Sequence, residues 1–373
     1  QGVCPRTVGF FDRLPEAREA LLECRQLDSE NIADAAQRYQ LCPFELTLQM
    51  LPWCNVVICD YNFAFDPVAT LSFLQQPSDR IGVLLDEAHN LVDRARQMHS
   101  ATLSRQQLRQ GADLASPDHP ALARALRGVD RALGRWHQQC SREQAEGDGG
   151  TPRSPDEYVS GKLPATVLRA TLRCSEIQAR GSADSSVVYP EPLPDCLREL
   201  HRFSAVAELA GDHHRTISQR SLQGKNRNIV LRLQCLDAAD YLARTYRRFH
   251  AIALFSATLS PPHYFRRALG LGQHSQALAL PSPFRGERQA TIVCPAIDTR
   301  YRQRQGAIPA IVEIIEAVVR SKPGNYMLFF ASYHFMLQVT DALRERYPAL
   351  ELRLQQLIEA ADAESPSSPW QCG

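Results

Sequence analysis

Hydrophobic residues along this chain fall into two textures, and the switch between them predicts its elements. One texture is the short unbroken apolar run: Asn55-Val56-Val57-Ile58-Cys59, Ile81-Gly82-Val83-Leu84-Leu85, Ala251-Ile252-Ala253-Leu254-Phe255 and Tyr326-Met327-Leu328-Phe329-Phe330. Apolar without alternation, such runs suit strands of a parallel sheet covered on both faces. The other texture is helical spacing. It appears in the mostly polar residues 1–50, in Leu103, Leu108 and Leu114, in Leu122, Leu126, Val129 and Leu133, from Leu163 to Ile177, and in the amphipathic stretch from Ile308 to Val319. Turn residues crowd the segments from Gly147 to Pro155 and from Gly181 to Pro194, which read as loops. The order strand, strand, helical block, strand, helix and strand argues α/β layers with an embedded α domain. From Gln355 onward the chain reads as low-complexity and disordered. A chain that has just begun a second α/β sheet is expected to go on, so the C-terminus reads as truncated or frame-shifted.

Composition changes this picture little. At 373 residues, two or three packed units are expected, and the net charge of +1 gives no global argument for nucleic acid. No apolar run reaches 18 residues, so no transmembrane helix is expected. The N-terminus lacks the basic region and apolar core of a signal peptide, which points to the cytoplasm. It also lacks a starting Met, so the chain was processed or begins inside a longer protein. Only Lys162, Lys225 and Lys322 stand against 39 Arg. Codon bias in a GC-rich genome explains this, as does phosphate binding by guanidinium forks, and both can hold. Eleven cysteines without a C-x-x-C pair argue against a disulfide framework and a zinc ribbon. Cys54, Cys59, Cys174, Cys235 and Cys294 sit in or beside apolar stretches and read as small core residues.

The candidate chemistry stands at the ends of two apolar runs. Asp86-Glu87-Ala88-His89 follows Ile81–Leu85, and a buried strand that delivers Asp-Glu to its C-terminal edge presents two carboxylates to a nucleotide. The aspartate holds Mg²⁺ through water, and the glutamate positions or deprotonates the attacking water. Asp-Glu after an apolar run also occurs by chance at helix starts. Ser256-Ala257-Thr258 ends its own run about 170 residues later. Small hydroxyl residues there often form turns and caps, but beside Asp86–His89 they can hydrogen-bond the histidine. A metal-dependent hydrolase built on Asp86, Glu87 and His89 would need more ligands, and the nearest, His99, lies 10 residues on. None of the three lysines sits in a G-x-x-x-x-G-K-[ST] phosphate loop.

Five ordered segments carry a resemblance to the XPD/DinG branch of superfamily 2 DNA helicases, closest to its bacterial DinG-like members. They are Cys42-Pro43-Phe44-Glu45-Leu46, Val57-Ile58-Cys59-Asp60-Tyr61-Asn62-Phe63, Leu85-Asp86-Glu87-Ala88-His89-Asn90-Leu91-Val92, Phe255-Ser256-Ala257-Thr258-Leu259-Ser260 and Leu328-Phe329-Phe330-Ala331-Ser332-Tyr333. The likeness spans residues 1 to about 350 and is weakest over 105–230.

The resemblance implies an α/β fold: a RecA-like P-loop NTPase motor domain with iron–sulfur and helical arch insertions, plus the start of a second RecA-like domain. Residues 1–50 would be the later part of the cluster domain, 51–104 and 236–290 the first motor domain, 105–235 the arch, and 291–373 the second motor domain. Cys42 matches the fourth ligand of a [4Fe–4S] cluster and Cys4 the third. The first two would precede Gln1, and Cys24 is either a substitute or an unrelated helix cysteine. Two thiolates cannot close a four-cysteine site, so this chain alone is expected to hold no intact cluster. The phosphate loop would also lie upstream and the late arginine motifs downstream, which makes the chain a fragment.

Asp86 and Glu87 would serve ATP and Mg²⁺, with His89 coupling hydrolysis to Ser256 and Thr258. Asp60, Tyr61 and Asn62 would lie near the DNA path, with the Tyr61 ring contacting single-stranded DNA or wedged between layers. Ser332 and Tyr333 match the first motif of the second motor domain and are expected to contact DNA. Arg300, Arg302 and Arg304 either touch phosphates or form a solvated turn. The implied activity is ATP-dependent 5′→3′ translocation on single-stranded and forked DNA, in repair or replication, by a monomer with no membrane contact. A non-catalytic remnant or nucleic-acid-binding module is the alternative.

Overall fold

The computed structural model describes residues 6, 8–75, 77, 80–146, 157–160, 163–182, 189–223, 226–273, 275–284, 290–322 and 324–347. The loop from Gly147 to Pro155, part of that from Gly181 to Pro194, Cys4 and the tail from Gln355 lie outside them. The chain divides into two compact units between Ala277 and Leu278.

The first unit opens with three helices, α1 (Phe10–Leu22), α2 (Ser29–Arg38) and α3 (Pro43–Met50). They bury Phe10, Leu14, Leu21, Ile32, Leu41, Leu46 and Met50 in one small core. Asp28 starts α2 by accepting the Asn31 amide at 2.9 Å, which satisfies a donor left over in the first turn. Pro43 starts α3 at a position where no amide proton is missed.

A second core gathers around α4 (Asn62–Phe65), β1 (Gly82–Leu85) and α5 (Leu91–Met98). Much later in sequence, α10 (Ala239–Tyr246), β6 (Ala251–Leu254) and α11 (Pro262–Ala268) complete it. β1 and β6 pair in parallel, with Gly82 opposite Ala251 and Leu85 opposite Leu254. After α11, Gly270 turns the chain at φ 68° and brings it against the backbone of α10.

Between these pieces lies β2 (Ala101–Ser104), α6 (Arg105–Ala115), α7 (Pro120–Glu146), β3 (Glu157–Ser160), α8 (Ala165–Ser182), α9 (Leu193–Leu209), β4 (His214–Gln223) and β5 (Asn226–Cys235). The strands form an antiparallel sheet in the order β2-β5-β4-β3, and the helices pack their own core against it with Leu126, Leu133, Leu200, Phe203, Leu231 and Leu233. The expected helical block therefore also holds a four-stranded sheet, and Leu103, grouped with a helix by spacing, sits in β2. The reason is visible in β4. Its inward residues His214, Thr216 and Ser218 are polar, so the period-2 apolar signal is missing. Ser218 is bonded instead to Nδ1 of His137 on α7 at 2.7 Å.

Two predicted strands are corrected. Asn55–Cys59 and, in the second unit, Tyr326–Phe330 are not paired into ladders, and Ile58 and Phe329 are 96% and 86% exposed. An apolar run becomes a strand only when a neighbour satisfies its amides and carbonyls, and neither run has such a neighbour among the described residues. For the same reason Cys59 and Cys294 are exposed rather than core residues, whereas Cys174 and Cys235 are buried.

The second unit packs α12 (Arg304–Ser321) against α13 (Tyr333–Arg346) through Val312, Ile315, Phe335, Val339 and Leu343. Among the described residues no helix is long and apolar enough to cross a membrane.

Where α5, β4 and α10 meet, two buried histidines flank a tyrosine. The Tyr241 ring stacks on His99 with centroids 4.4 Å apart and meets His214 edge-on at 5.8 Å. His99 Nδ1–H donates to Ala95 O at 3.0 Å and His214 Nε2–H donates to His99 O at 2.9 Å, so the partners fix both tautomers. Burial is the main cause that lowers the pKa of each ring. The folded protein thus resists protons that the unfolded chain accepts near pH 6.5. The pair's contribution is whole above pH 6.5 and is lost as pH falls toward the depressed folded values. The urea midpoint is expected to be lower at pH 5.5 than at pH 7.5, with part of that difference absent in His99→Gln/His214→Gln.

Candidate functional site

The parallel pair of β1 and β6 places the two chemical turns side by side. Past the last ladder position, Phe255 N–H donates to Leu85 O at 3.0 Å and Ala88 N–H donates to Phe255 O at 3.1 Å. The strand ends are thereby stitched together just where Asp86–His89 and Ser256–Thr258 begin.

At Glu87 the backbone reverses through φ 47°, the left-handed region, into a short helical turn and then α5. A residue with a side chain adopts this conformation at a cost of about 1–2 kcal/mol. Local bonds offset the cost. Asp86 Oδ1 accepts the Glu87 amide at 2.7 Å, and the Tyr61 hydroxyl shares its one proton between the carbonyls of Asp86 and Glu87, the latter at 3.1 Å. Burial first, then the nearby Asp86, Glu87 and Asp60 carboxylates, raise the Tyr61 pKa and keep the phenol a donor.

Ser256 is the centre of the site. Its hydroxyl donates to Glu87 Oε2 at 3.0 Å, and His89 Nδ1 lies 2.7 Å from Ser256 Oγ. One hydroxyl has one proton. With that proton on the Glu87 bond, His89 must carry hydrogen on Nδ1 and donate to Ser256. His89 Nδ1 is also 3.2 Å from Glu87 Oε2. Thr258 closes the turn, with its amide donating to Ser256 Oγ at 3.2 Å and its hydroxyl 3.3 Å away. The structure therefore brings Asp86, Glu87, His89, Ser256 and Thr258 into one cluster.

The remaining candidates are placed as follows. Asp60 accepts the Asn62 amide at 3.1 Å and pairs with Arg94 at 3.2 Å. Tyr61 is half-buried against the second core. In the second unit Ser332 caps α13 by accepting the Phe335 amide at 3.3 Å and also accepts from Arg304, while Tyr333 is exposed. Arg300 is held by Asp298, whose carboxyl is drawn down to about 2, first by that side-chain bond.

Exposed carboxylate oxygens such as those of Asp86 suit a hard cation like Mg²⁺. The described residues do not fit an iron–sulfur cluster. Cys42 is buried at the start of α3, Cys24 is exposed and bonded to Ala20 O, and no three His, Cys, Asp or Glu side chains among the described residues come together as a metal site.

Sequence reasoning missed the partners of this cluster. Tyr61 as a donor to the Asp86–Glu87 turn lies 25 residues upstream of it, and the ion pair of Asp66 with Arg202 on α9 spans 136 residues.

Comparison with known proteins now adds its weight. The DEAD_2 family model matches residues 4–108. With the parallel strand pair, this match likens the chain to superfamily 2 helicases. More narrowly, the chain is XPD/DinG-like. It is 20% identical over 402 residues to the general transcription and DNA repair factor IIH helicase subunit XPD of Schizosaccharomyces pombe, covering 90% of this chain and 52% of that one. It is 22% identical over 350 residues to the ATP-dependent DNA helicase CHL1 of Coccidioides immitis, covering 85% and 40%. The chain thus spans about half the length of these curated relatives. A solved structure of S. tokodaii Xpd4 shares the fold at TM-score 0.50 and 14% identity, over 90% of this chain and 73% of that one.

Proposed function

We propose that this chain is part of an ATP-dependent DNA helicase that couples ATP hydrolysis to 5′→3′ movement on single-stranded DNA and to opening of forked duplexes. The observation that carries the reading is Ser256, which bridges Glu87 and His89 across the parallel strand pair. Asp86 would hold Mg²⁺, which supplies charge neutralisation at the phosphates. Glu87 would orient the attacking water and take its proton at the oxygen not bonded to Ser256. His89 and Thr258 would register that change through Ser256, so that a turn next to the carboxylate reports on it. Asp60, the Tyr61 ring and Asn62 of the first unit would contact single-stranded DNA, as would Ser332 and Tyr333 of the second, and the working protein would be a cytoplasmic monomer in repair or replication. Residues 51–104 with 236–290, 105–235 and 291–373 would serve as first motor domain, arch and second motor domain, with residues 1–50 packed as a helical segment ahead of them.

The test is ATP hydrolysis by the intact protein carrying this sequence, with and without single-stranded DNA. Turnover stimulated by DNA supports the reading. DNA binding without turnover supports a nucleic-acid-binding module instead. Ser256→Ala is expected to separate chemistry from movement. Losing a hydrogen bond to a charged group is worth about 1.5–3 kcal/mol, so strand opening per ATP should fall about tenfold while hydrolysis falls much less. Parallel ATPase and unwinding assays check this, and equal losses in both would assign Ser256 to the chemical step.

A further inference from the structure

Tyr61 and Asp66 flank the single turn of α4, and each is bonded to a different layer of the first unit. On one side the Tyr61 hydroxyl holds the carbonyls of Asp86 and Glu87. Next to it, Asp60 caps the turn through the Asn62 amide and ties it to Arg94 on α5. On the other side Asp66, 4% exposed, accepts the Val68 amide at 2.9 Å and pairs with Arg202 of α9 at 3.0 Å. Arg202 also donates to Met98 O at 2.9 Å, at the end of α5. Between them Ala64 and Phe65 are locked in the core, Phe65 edge-on to Tyr246 at 6.0 Å.

The bonds at the Tyr61 side matter because of what they hold. Glu87 sits at φ 47°, which residues with side chains keep only when neighbours enforce it. Asp86 Oδ1 supplies one restraint from within the turn, and the Tyr61 hydroxyl joins Phe255 O and Ser256 in restraining it from outside. At the Asp66 side one Arg202 nitrogen donates to the nearly dry carboxylate and the other to Met98 O, a bridge that the single ammonium of Lys cannot reproduce. A rigid turn fixed at both ends transmits displacement.

We infer that Tyr61 is a positioning residue for Glu87, and that the Tyr61–Asp66 turn is the strut through which helix α9 sets the conformation of the catalytic turn. The inference rests on Glu87 acting in ATP hydrolysis. Its consequence is regulatory: a displacement of α9 changes the hydrolysis rate without touching the nucleotide.

The experiment is a double-mutant cycle in the intact protein. Tyr61→Phe removes one oxygen, so kcat for ATP should fall about five- to tenfold with KM for ATP unchanged, as for a group that acts only through the transition-state geometry. Arg202→Lys should lower kcat about threefold, and the double variant should be no slower than Tyr61→Phe alone, because both act through one element. A wild-type kcat in Tyr61→Phe overturns the positioning role. Factors that multiply in the double variant overturn the strut. If Arg202→Lys yields no folded protein, the split between kcat and KM in Tyr61→Phe decides. Unimpaired hydrolysis in Glu87→Gln sinks the parent reading instead, whatever Tyr61 does.

Discussion

Glu87→Gln is expected to lower ATP turnover at saturating ATP and DNA by about a thousandfold, within the range that loss of a general base produces. The amide keeps the size of the side chain and can still accept the Ser256 hydroxyl that lies 3.0 Å from Glu87 Oε2. What it loses is basicity, so a water placed by the site keeps its proton. Affinity for ATP should change by less than about threefold, since the substitution removes transition-state stabilisation and not ground-state contacts. Single-turnover hydrolysis with a separate nucleotide-binding titration measures both. Turnover near the wild-type rate would reject Glu87 as the base and leave His89 and Ser256 as a structural cluster.

Gly270→Ala should produce the largest loss of stability. Gly270 has φ 68°, and a Cβ built there lies 2.1 Å from the carbonyl oxygen of Ala239 and 3.2 Å from the Ala243 nitrogen. Both atoms belong to the backbone of α10, which carries Tyr241 and Leu242 into the second core. Backbone cannot swing aside as a side chain can, so either α10 or the turn must move. Left-handed backbone alone costs Ala about 1–2 kcal/mol, and the overlap should bring the total to about 3–5 kcal/mol, at the upper end for single substitutions. Gly272→Ala is the control. Nothing lies within 4 Å of its added Cβ, and a change within about 0.5 kcal/mol is expected. Urea denaturation of both variants compares them. A loss under about 1 kcal/mol at Gly270 would mean that the turn relaxes freely.

The cluster was legible in the sequence because its parts are contiguous. Asp86–His89 and Ser256–Thr258 each follow an apolar run, and a parallel pairing of those runs is enough to bring them together. Tyr61 was visible as an aromatic in a polar turn, but not as a donor to Glu87, since no local pattern encodes a bond over 26 residues. The pairing of Asp66 with Arg202 was equally hidden. The β4–β5 hairpin escaped because Thr216 and Ser218 fill inward positions where apolar residues announce a strand. Val56, Val57 and Ile58 misled in the opposite direction, since a strong apolar run says nothing about whether a partner strand exists.

The pairing of β2 with β5, which sets Ala101 opposite Leu233, bears on the order in which the first unit assembles. Joining β1 to β6 closes a loop of roughly 165 residues, an entropic cost that grows with the logarithm of length. Once Ala101 and Leu233 are already adjacent, the remaining free chain is only roughly 32 residues, and the closure becomes about 1.5 kcal/mol easier. The block between them draws on its own core and sheet, so it can form first and act as a clasp. On this account the Asp86–His89 and Ser256–Thr258 turns meet late in folding, and far more readily in molecules whose intervening block is already built.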